Sequence, residues 1–333
     1  MVPTTGRPAM SDGPLAVAAR TALHAPSVFN TQPWRWRVAP DLLELRVAPD
    51  RGLPVTDPDG KLLTISCGAA LHHARVALAA AGHRVEVARL PNPAVPRLLA
   101  RLRLTGSRTP TAADTALLAA VPRRRTDRRA FADTPVPAAS LDRLRAAVEA
   151  EGVHLHVVRH DQMPMLAVAT AHAAATELAD PAYRAELARW THRPADERDG
   201  VPATVAVRPA PRRVPVRDHA VGGAPGLEVG AGFDRGASYV VLYGESDDRA
   251  GWLAGGEALS ALLLTAVVEG LSAAPISDAV EVSWPRGLLR DLLAGTGEPY
   301  LAVRIGVAVP GELPPVPRRG PDQVIEFQEG PGQ

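Results

Sequence analysis

The sequence predicts an α+β protein built as two related halves of one chain. Three observations predict it. The chain has 333 residues, more than one hydrophobic core usually serves. A short pattern occurs twice: Gly68-Ala69-Ala70-Leu71 leads an Ala/Leu/Val-rich helix to Gly82, and Gly256-Glu257-Ala258-Leu259 leads a similar one to Gly270, fourteen residues on in each case. Each of these helices follows a strand-like run, 43–47 in one and 239–243 in the other. The expected architecture is a pseudo-dimer. Each half is a small, mostly antiparallel sheet flanked by helices, and the halves pack through the long helices near 62–81 and 249–269.

Residues 1–11 read as a loose tail. Ser11 or Asp12 can cap a helix to about His24, with Leu15, Ala18, Ala19 and Ala22 on one face, and Ala25-Pro26 stops it. A polar loop to Pro33 precedes two β-rich runs, Trp34–Val38 and Leu42–Val47, joined as a hairpin through Pro40-Asp41. A helix over 62–81 ends at Gly82, suited to a left-handed C-cap. Strands follow at 84–90 and 98–104, the second edge-like, and a polar connector leads to a short helix ending at Val121. These make a first half, 12–121. The second, 122–320, begins with the basic stretch 122–129, then a helix (137–151), a strand (153–159) and two helices (166–178 and 183–190). Segment 193–236 is rich in Pro, Gly and Arg with little periodicity, which suits a lid, a binding loop or a linker. A strand (238–243), a helix (249–269), a helix near 287–294 and a strand (300–307) complete the half, and 321–333 reads as a tail.

Composition narrows the function. Hydrophobic residues are 46% and charged residues 22%, ordinary for a globular protein. A net charge of +1 leaves no electrostatic footprint for nucleic acid or an anionic membrane. Lys61 is the only lysine, so a Schiff-base mechanism has one candidate and no support. Cys67 is the only cysteine, which rules out an intrachain disulfide and any multi-cysteine metal or cluster site. The first twelve residues lack the basic and apolar regions of a signal peptide, and the longest apolar stretch, 259–268, is short for a bilayer, so a cytoplasmic location is expected. His154 and His156 share a strand face but lack a third ligand nearby. No P-loop, Gly-x-Ser-x-Gly elbow or dinucleotide fingerprint occurs.

Two segments remain that could carry chemistry. The loop Pro26-Ser27-Val28-Phe29-Asn30-Thr31-Gln32-Pro33-Trp34 sets three short polar side chains between two prolines that restrict its backbone. Asn30 and Gln32 each offer a donor and an acceptor on one planar group, the equipment to read a heterocycle edge; a plain turn linking helix to hairpin is the alternative. The run 123–129 holds five Arg in seven residues, plus Thr126. It is either a solvated surface loop or a site for an anion that offsets its self-repulsion, such as a phosphate.

In this order the two segments resemble the FMN-dependent nitroreductase family. The first is similar to the family's signature loop, which crosses to a partner subunit's flavin. Arg124-Arg125-Thr126-Asp127-Arg128 resembles its Arg-Arg-Ser-x-Arg phosphate run, with Thr126 for Ser. Ala274-Pro275-Ile276 resembles the backbone segment over the flavin ring, and the strand 300–306 followed by Arg318-Arg319 is like the C-terminal strand and its phosphate-contacting basic residues. The front half carries only the loop and the rear half only the Arg run, which is the pattern of the tandem-fused, Acg-type branch.

The resemblance implies one FMN held in a pseudo-dimeric monomer, with a higher homo-oligomer left open. Pro26, Ser27, Asn30 and Gln32 would serve the ring and ribityl. Arg123, Arg124, Arg125, Thr126 and Arg128, with Arg318 and Arg319, would supply the phosphate site; alternation along an extended chain favours Arg123, Arg125 and Thr126. Ala274, Pro275 and Ile276 would line the ring. NAD(P)H would be a transient hydride donor and a small nitroaromatic or quinone-like molecule the acceptor, with no side-chain nucleophile. The alternative is a flavin-sequestering protein with 193–236 as its lid.

Overall fold

The computed structural model describes residues 13–328 apart from 192, 220–223 and 231. The tail over 1–11 and the caps Ser11 and Asp12 lie outside the described residues. The first helix, α1 (Pro14–Ala22), starts on Gly13 with no side-chain cap, and Pro14 supplies a preset φ at its first position. Its buried face carries Leu15, Ala18, Ala19 and Ala22, as the periodicity predicts. β1 (Trp34–Val38) and β2 (Leu42–Val47) form the expected antiparallel hairpin, with Trp36 opposite Leu45. α2 (Lys61–Ala80) begins where the Asp57 carboxylate accepts the Leu62 and Leu63 amides at 3.0 and 2.8 Å. β3 (His83–Arg89), β4 (Leu98–Ser107) and α3 (Ala112–Ala120) follow.

The rear half repeats the plan with insertions. It runs α4 (Ala138–Glu149), β5 (His154–Val157), α5 (Met163–Ala179), α6 (Pro181–Thr191), β6 (Ser238–Gly244), α7 (Arg249–Val268), β7 (Ser272–Ile276), α8 (Asp278–Glu281), α9 (Ser283–Leu292) and β8 (Glu298–Gly306), and α10 (Pro321–Val324) and β9 (Ile325–Phe327) end it. One sheet has the order β3-β4-β2-β1-β9 and the other β7-β8-β6-β5, so both place their third, fourth, second and first strands side by side. The chain is thus the expected α+β fold of two related halves. α1 and α2 pack in the first half's core and α4 and α7 beside the second sheet, while α2 and α7 meet in the middle.

Three expectations are corrected. The strand at 98–104 is interior to its sheet, between β3 and β2, and β3 is the edge. β7, absent from the sequence reading, is concealed by its small residues and Pro275; proline is tolerated there because β7 is the outer strand. The described part of the tail is structured: β9 runs parallel to β1, Ile325 opposite Trp36, and buries Ile325 while α10 buries Val324. The open edge of β1 takes a partner from the far end of the chain.

The repeated glycines explain the junction. A Cβ on Gly68 would stand 2.1 Å from the Leu253 carbonyl oxygen, and one on Gly256 would stand 2.0 Å from that of Ile65. Each helix therefore lays its backbone on the other through its own glycine, the reciprocal contact of a two-fold interface. One turn further on, His72 Nδ1 and His73 Nδ1 both reach Ser260 Oγ, at 2.8 and 2.9 Å. α2 and α7 are long and apolar enough to cross a bilayer by length and composition, yet most of that apolar surface is buried inside the protein.

Candidate functional site

The loop after α1 is held in an uncommon shape. Phe29, Asn30 and Gln32 have φ of 45°, 54° and 51°, a left-handed region that non-glycine residues occupy only when their surroundings fix them. The fixing groups are visible. The Val28 amide donates to Ser66 Oγ on α2 (3.1 Å) and the Gln32 amide to Ser27 Oγ (2.9 Å). Asn30 Nδ2 donates to the Gly200 and Pro317 carbonyls at 2.9 and 3.1 Å, and its Oδ1 accepts from Arg318 Nη1 at 3.0 Å. Gln32 Nε2 donates to the Arg198 carbonyl (3.1 Å) and Oε1 accepts from the Arg319 amide (2.9 Å). Both amides thus tie the loop to segments 198–200 and 317–319. Neither lines the cleft described next.

That cleft opens between the halves, about 920 Å³ with its open mouth included. Pro26, Ser27 and Val28 form one wall, with Leu62, Ile65 and Ser66 of α2. Ala274, Pro275 and Ile276 of β7 contribute another, with Leu259 of α7. Thr126 and Arg128 enter from the rear half's first segment, whose Thr126 bridges to Ala273. Seven residues singled out in the sequence (Pro26, Ser27, Thr126, Arg128, Ala274, Pro275 and Ile276) therefore meet here.

The Arg run does not simply alternate, and of the favoured Arg123, Arg125 and Thr126 only Arg123 faces away from both clefts. Arg123 is exposed, while Arg124 is buried and Thr126 and Arg128 turn into the cleft. Asp127 is buried as well, its carboxylate paired with Arg129 at 2.9 Å. Arg124 does not share the cleft of Arg128. It lines a second one with His24, Arg125, Arg198 and Arg318. Arg124 is 5% exposed, and among the described residues its Nε and Nη1 have no hydrogen-bond partner, nor has Arg318 Nε. Burial first, then the charges of Arg318 and Arg125, push the Arg124 guanidinium down to about 9; burial and Arg125 push Arg318 down to about 10. Arg319 lies in neither cleft, its Nη2 donating to the Gln323 carbonyl at 3.3 Å.

Segment 193–236 crosses both sides of this region, which the sequence left open. Ala130 donates its amide to the Val229 carbonyl (2.7 Å), and the Phe131 amide donates to Asp234 Oδ1 (2.8 Å). Pro215, Val216, Arg217 and His219 of this strap line the first cleft. Arg217 is anchored by Glu281 at 2.7 Å and Glu177 at 3.4 Å, with its guanidinium 5.1 Å from the Phe29 ring centroid. Burial, and then repulsion from Glu281, raise the Glu177 carboxyl to about 9, against the lowering pull of Arg217, so it keeps its proton at neutral pH. Asp278, also in the cleft, is raised to about 6 chiefly by burial.

Sequence reasoning missed Arg217, His219, Ser66, Asp278 and Arg304. Only Arg304 left a signal, a charge inside the apolar run 300–307. It is fully buried and donates to Asp234 (2.6 Å) and to the Asp127 and Arg129 carbonyls (2.8 and 2.9 Å). Among the described residues no cluster of three metal-binding side chains occurs, and His156 instead meets Gln162 at 2.8 Å.

No family model matches the chain. Relatives do. The Mycobacterium tuberculosis protein named "Putative NAD(P)H nitroreductase Rv3131" is 40% identical over 314 residues, 92% of this chain and 90% of that protein. The protein of the same organism named "Putative NAD(P)H nitroreductase acg" is 35% identical over 315 residues, 93% of this chain and 95% of that one. Among solved structures, the FMN-dependent nitroreductase NfnB of Mycobacterium smegmatis in complex with NADPH aligns at a TM-score of 0.39 and 16% identity, over 65% of this chain and 100% of that one.

Proposed function

The chain belongs to the nitroreductase family of these mycobacterial proteins, and on that premise we propose that it is an FMN-dependent oxidoreductase that takes hydride from NAD(P)H. Its acceptor is a small nitroaromatic or quinone-like molecule. The flavin lies across the seam between the halves 12–121 and 122–320, so one chain does the work of a dimer.

The observation that carries this reading is Arg124. A buried guanidinium with two unpartnered nitrogens, repelled by Arg318 and Arg125, is costly unless an anion satisfies it. A phosphate does so, and guanidinium forks match its oxygens. The two clefts draw lining residues from the same two stretches of chain, 24–28 and 124–128. A molecule with a flat ring at one end and a phosphate at the other fits that pairing. Arg124, Arg125 and Arg318 would hold the phosphate, and Ser27, Thr126 and the backbone of 274–276 the ring. When bound, FMN supplies a two-electron carrier between donor and acceptor. Asn30 and Gln32 act by position: they fix the loop that presents Ser27. Pro215 and Val216 help to keep water from the cleft.

Absorbance of the purified protein in the flavin bands, followed by anaerobic NADPH, tests the reading. Bleaching of a stoichiometric flavin supports it; a protein that holds no flavin overturns it. A second reading, flavin sequestration with little turnover, is favoured by the anchored Arg217 and the strap residues lining the cleft. Bound flavin that NADPH does not bleach selects it.

A further inference from the structure

Residues 198–200 grip residues 30–32 of the loop after α1, one to one, and the middle pair is joined through side chains. The Gly200 carbonyl accepts Asn30 Nδ2 (2.9 Å), and the Gly200 amide donates to the Asn30 carbonyl (3.3 Å). The Arg198 carbonyl accepts Gln32 Nε2 at 3.1 Å. Between them the Asp199 carboxylate accepts Arg51 Nη2, and Arg51 Nε donates to the Thr31 carbonyl. Arg51 stands in the turn after β2, so an arginine of the front half carries the hold of a rear-half carboxylate to the loop.

The carboxylate is enclosed on its other side as well. Asp199 is 4% exposed, and Arg193 places Nε on its Oδ1 at 2.7 Å and Nη2 on its Oδ2 at 3.0 Å. Arg51 and Arg193 both lie over the Trp190 ring of α6, 5.3 and 5.2 Å from its centroid. Burial would raise the Asp199 carboxyl, but the bonds from Arg193 and Arg51 hold it below its ordinary range, so it is ionised at neutral pH. The turn around it has a fixed shape. Arg198 and Gly200 have φ of 55° and 72°, and a Cβ on Gly200 would stand 2.5 Å from the Trp190 carbonyl oxygen. Neither Asp199 nor Arg51 lines either cleft, so any effect on a ligand must pass through the loop.

Phe29, Asn30 and Gln32, all at positive φ, keep that conformation only while contacts of this kind hold them. We infer that Asp199 is a positioning residue for the flavin site: through Arg51 it fixes Thr31, and with it the loop that presents Ser27 to the cleft. That the occupant is a flavin rests on the function proposed above. The Gln32 amide donates to Ser27 Oγ at 2.9 Å, so the turn at Thr31 and Gln32 sets where that hydroxyl stands. The root of segment 193–236 is therefore part of the binding site rather than a detachable cover, and the front half's loop owes its shape to the rear half.

Amide exchange of the flavin-free chain, together with flavin affinity read by fluorescence titration, tests the assignment. Asp199→Asn keeps the shape and removes the charge. It should speed exchange over residues 28–32 at least tenfold while α2 exchanges as in the wild type; a carboxylate that only stabilised the fold would speed both. Flavin should bind about ten- to a hundredfold more weakly, the range for a lost hydrogen bond to a charged group. Arg51→Gln should match it, and the double variant should bind flavin no more weakly than the more impaired single one, because both act through one link. Should Asp199→Asn fail to fold, Arg51→Lys decides. It keeps a charge beside Asp199 but has no fork to span the carboxylate and the Thr31 carbonyl, and the same faster loop exchange is expected. Unchanged loop exchange, equal acceleration in α2, or losses of flavin affinity that add in the double variant overturn the inference. A chain that binds no flavin refutes the proposed reaction, while the exchange data still decide whether Asp199 sets the loop.

Discussion

Replacing Gly256 by Ala should separate the two halves more than any other single methyl. The new Cβ would sit 2.0 Å from the Ile65 carbonyl oxygen and 2.8 Å from Gly68 Cα, both backbone atoms that no rotamer change can move. Ordinary contact needs about 3.5 Å, so α2 and α7 must part locally by up to about 1.5 Å. Overpacking of this kind typically costs about 1–3 kcal/mol, and here it also loosens the contacts of every residue along the crossing. We expect a loss of at least about 3 kcal/mol in denaturant unfolding. Flavin retention should fall with it, since Leu62, Ile65 and Leu259 line the cleft from these two helices. Gly287→Ala is the control. It lies within α9, and an added Cβ there meets nothing within 4 Å. It should stabilise by about 0.5–1 kcal/mol through a stiffer unfolded chain and better helix propensity. Gly68→Ala should resemble Gly256→Ala, and the double variant should cost less than the sum, because the first methyl already opens the crossing. If Gly256→Ala matches wild type within about 0.5 kcal/mol, the back-to-back glycine junction is wrong.

Three further outcomes follow from the same contacts. Arg124→Ala should weaken flavin retention by about a hundredfold, read by equilibrium dialysis, yet leave the flavin-free protein at least as stable as wild type, because an unpaired buried cation is removed; unchanged retention would falsify the phosphate assignment. Glu177 is ionised above its ordinary range of about 4.5 when unfolded but keeps its proton up to about 9 when folded, so its contribution to stability falls as pH rises between those values. Glu177→Gln should therefore gain in Tm relative to wild type from pH 5 to pH 8, and a constant difference would show that Glu177 is ionised in the fold. A chain ending at Gly320 loses β9 and the buried Val324 and Ile325, for which a destabilisation of about 3–5 kcal/mol in urea unfolding is expected; a loss below about 1 kcal/mol would mean the arm contributes little.

The elements that were legible are those with a strong local period. The hairpin Trp34–Val38 and Leu42–Val47 and the long helices α2 and α7 stand where alternation, helical spacing and Gly82 put them. The site was legible as far as backbone-borne motifs go: Pro26-Ser27, Thr126 and 274–276 do meet. What failed depends on direction and distance. An extended run such as 123–129 suggests alternation, but here Arg124 and Arg125 share one cleft while Asp127 and Arg129 pair with each other. Asn30 and Gln32 are equipped to read a ring, and also to satisfy backbone carbonyls of segments 166 to 287 residues away in sequence, which no local pattern reveals. Arg217 and His219 lie in a segment without periodicity, so nothing short of the fold could bring them to the cleft.

The repeat also explains why one site is expected where a symmetric dimer would have two. Ile65 and Ser66 stand three and two residues before Gly68, and Leu253 and Ala254 stand at the same places before Gly256. Ile65 lines the cleft, whereas its counterpart Leu253 is fully buried in the first half's core among Leu15, Trp34 and Leu71. Ser66 Oγ accepts the Val28 amide and so holds the loop against α2; Ala254 has no hydroxyl to do the same. The second position is therefore filled with packed side chains and lacks the group that shapes the first. Filling it adds buried apolar surface. One flavin per chain should be found by extraction and absorbance, and Ala254→Ser should leave that ratio unchanged. A ratio of two would require the core around Leu253 to open, contrary to its close packing.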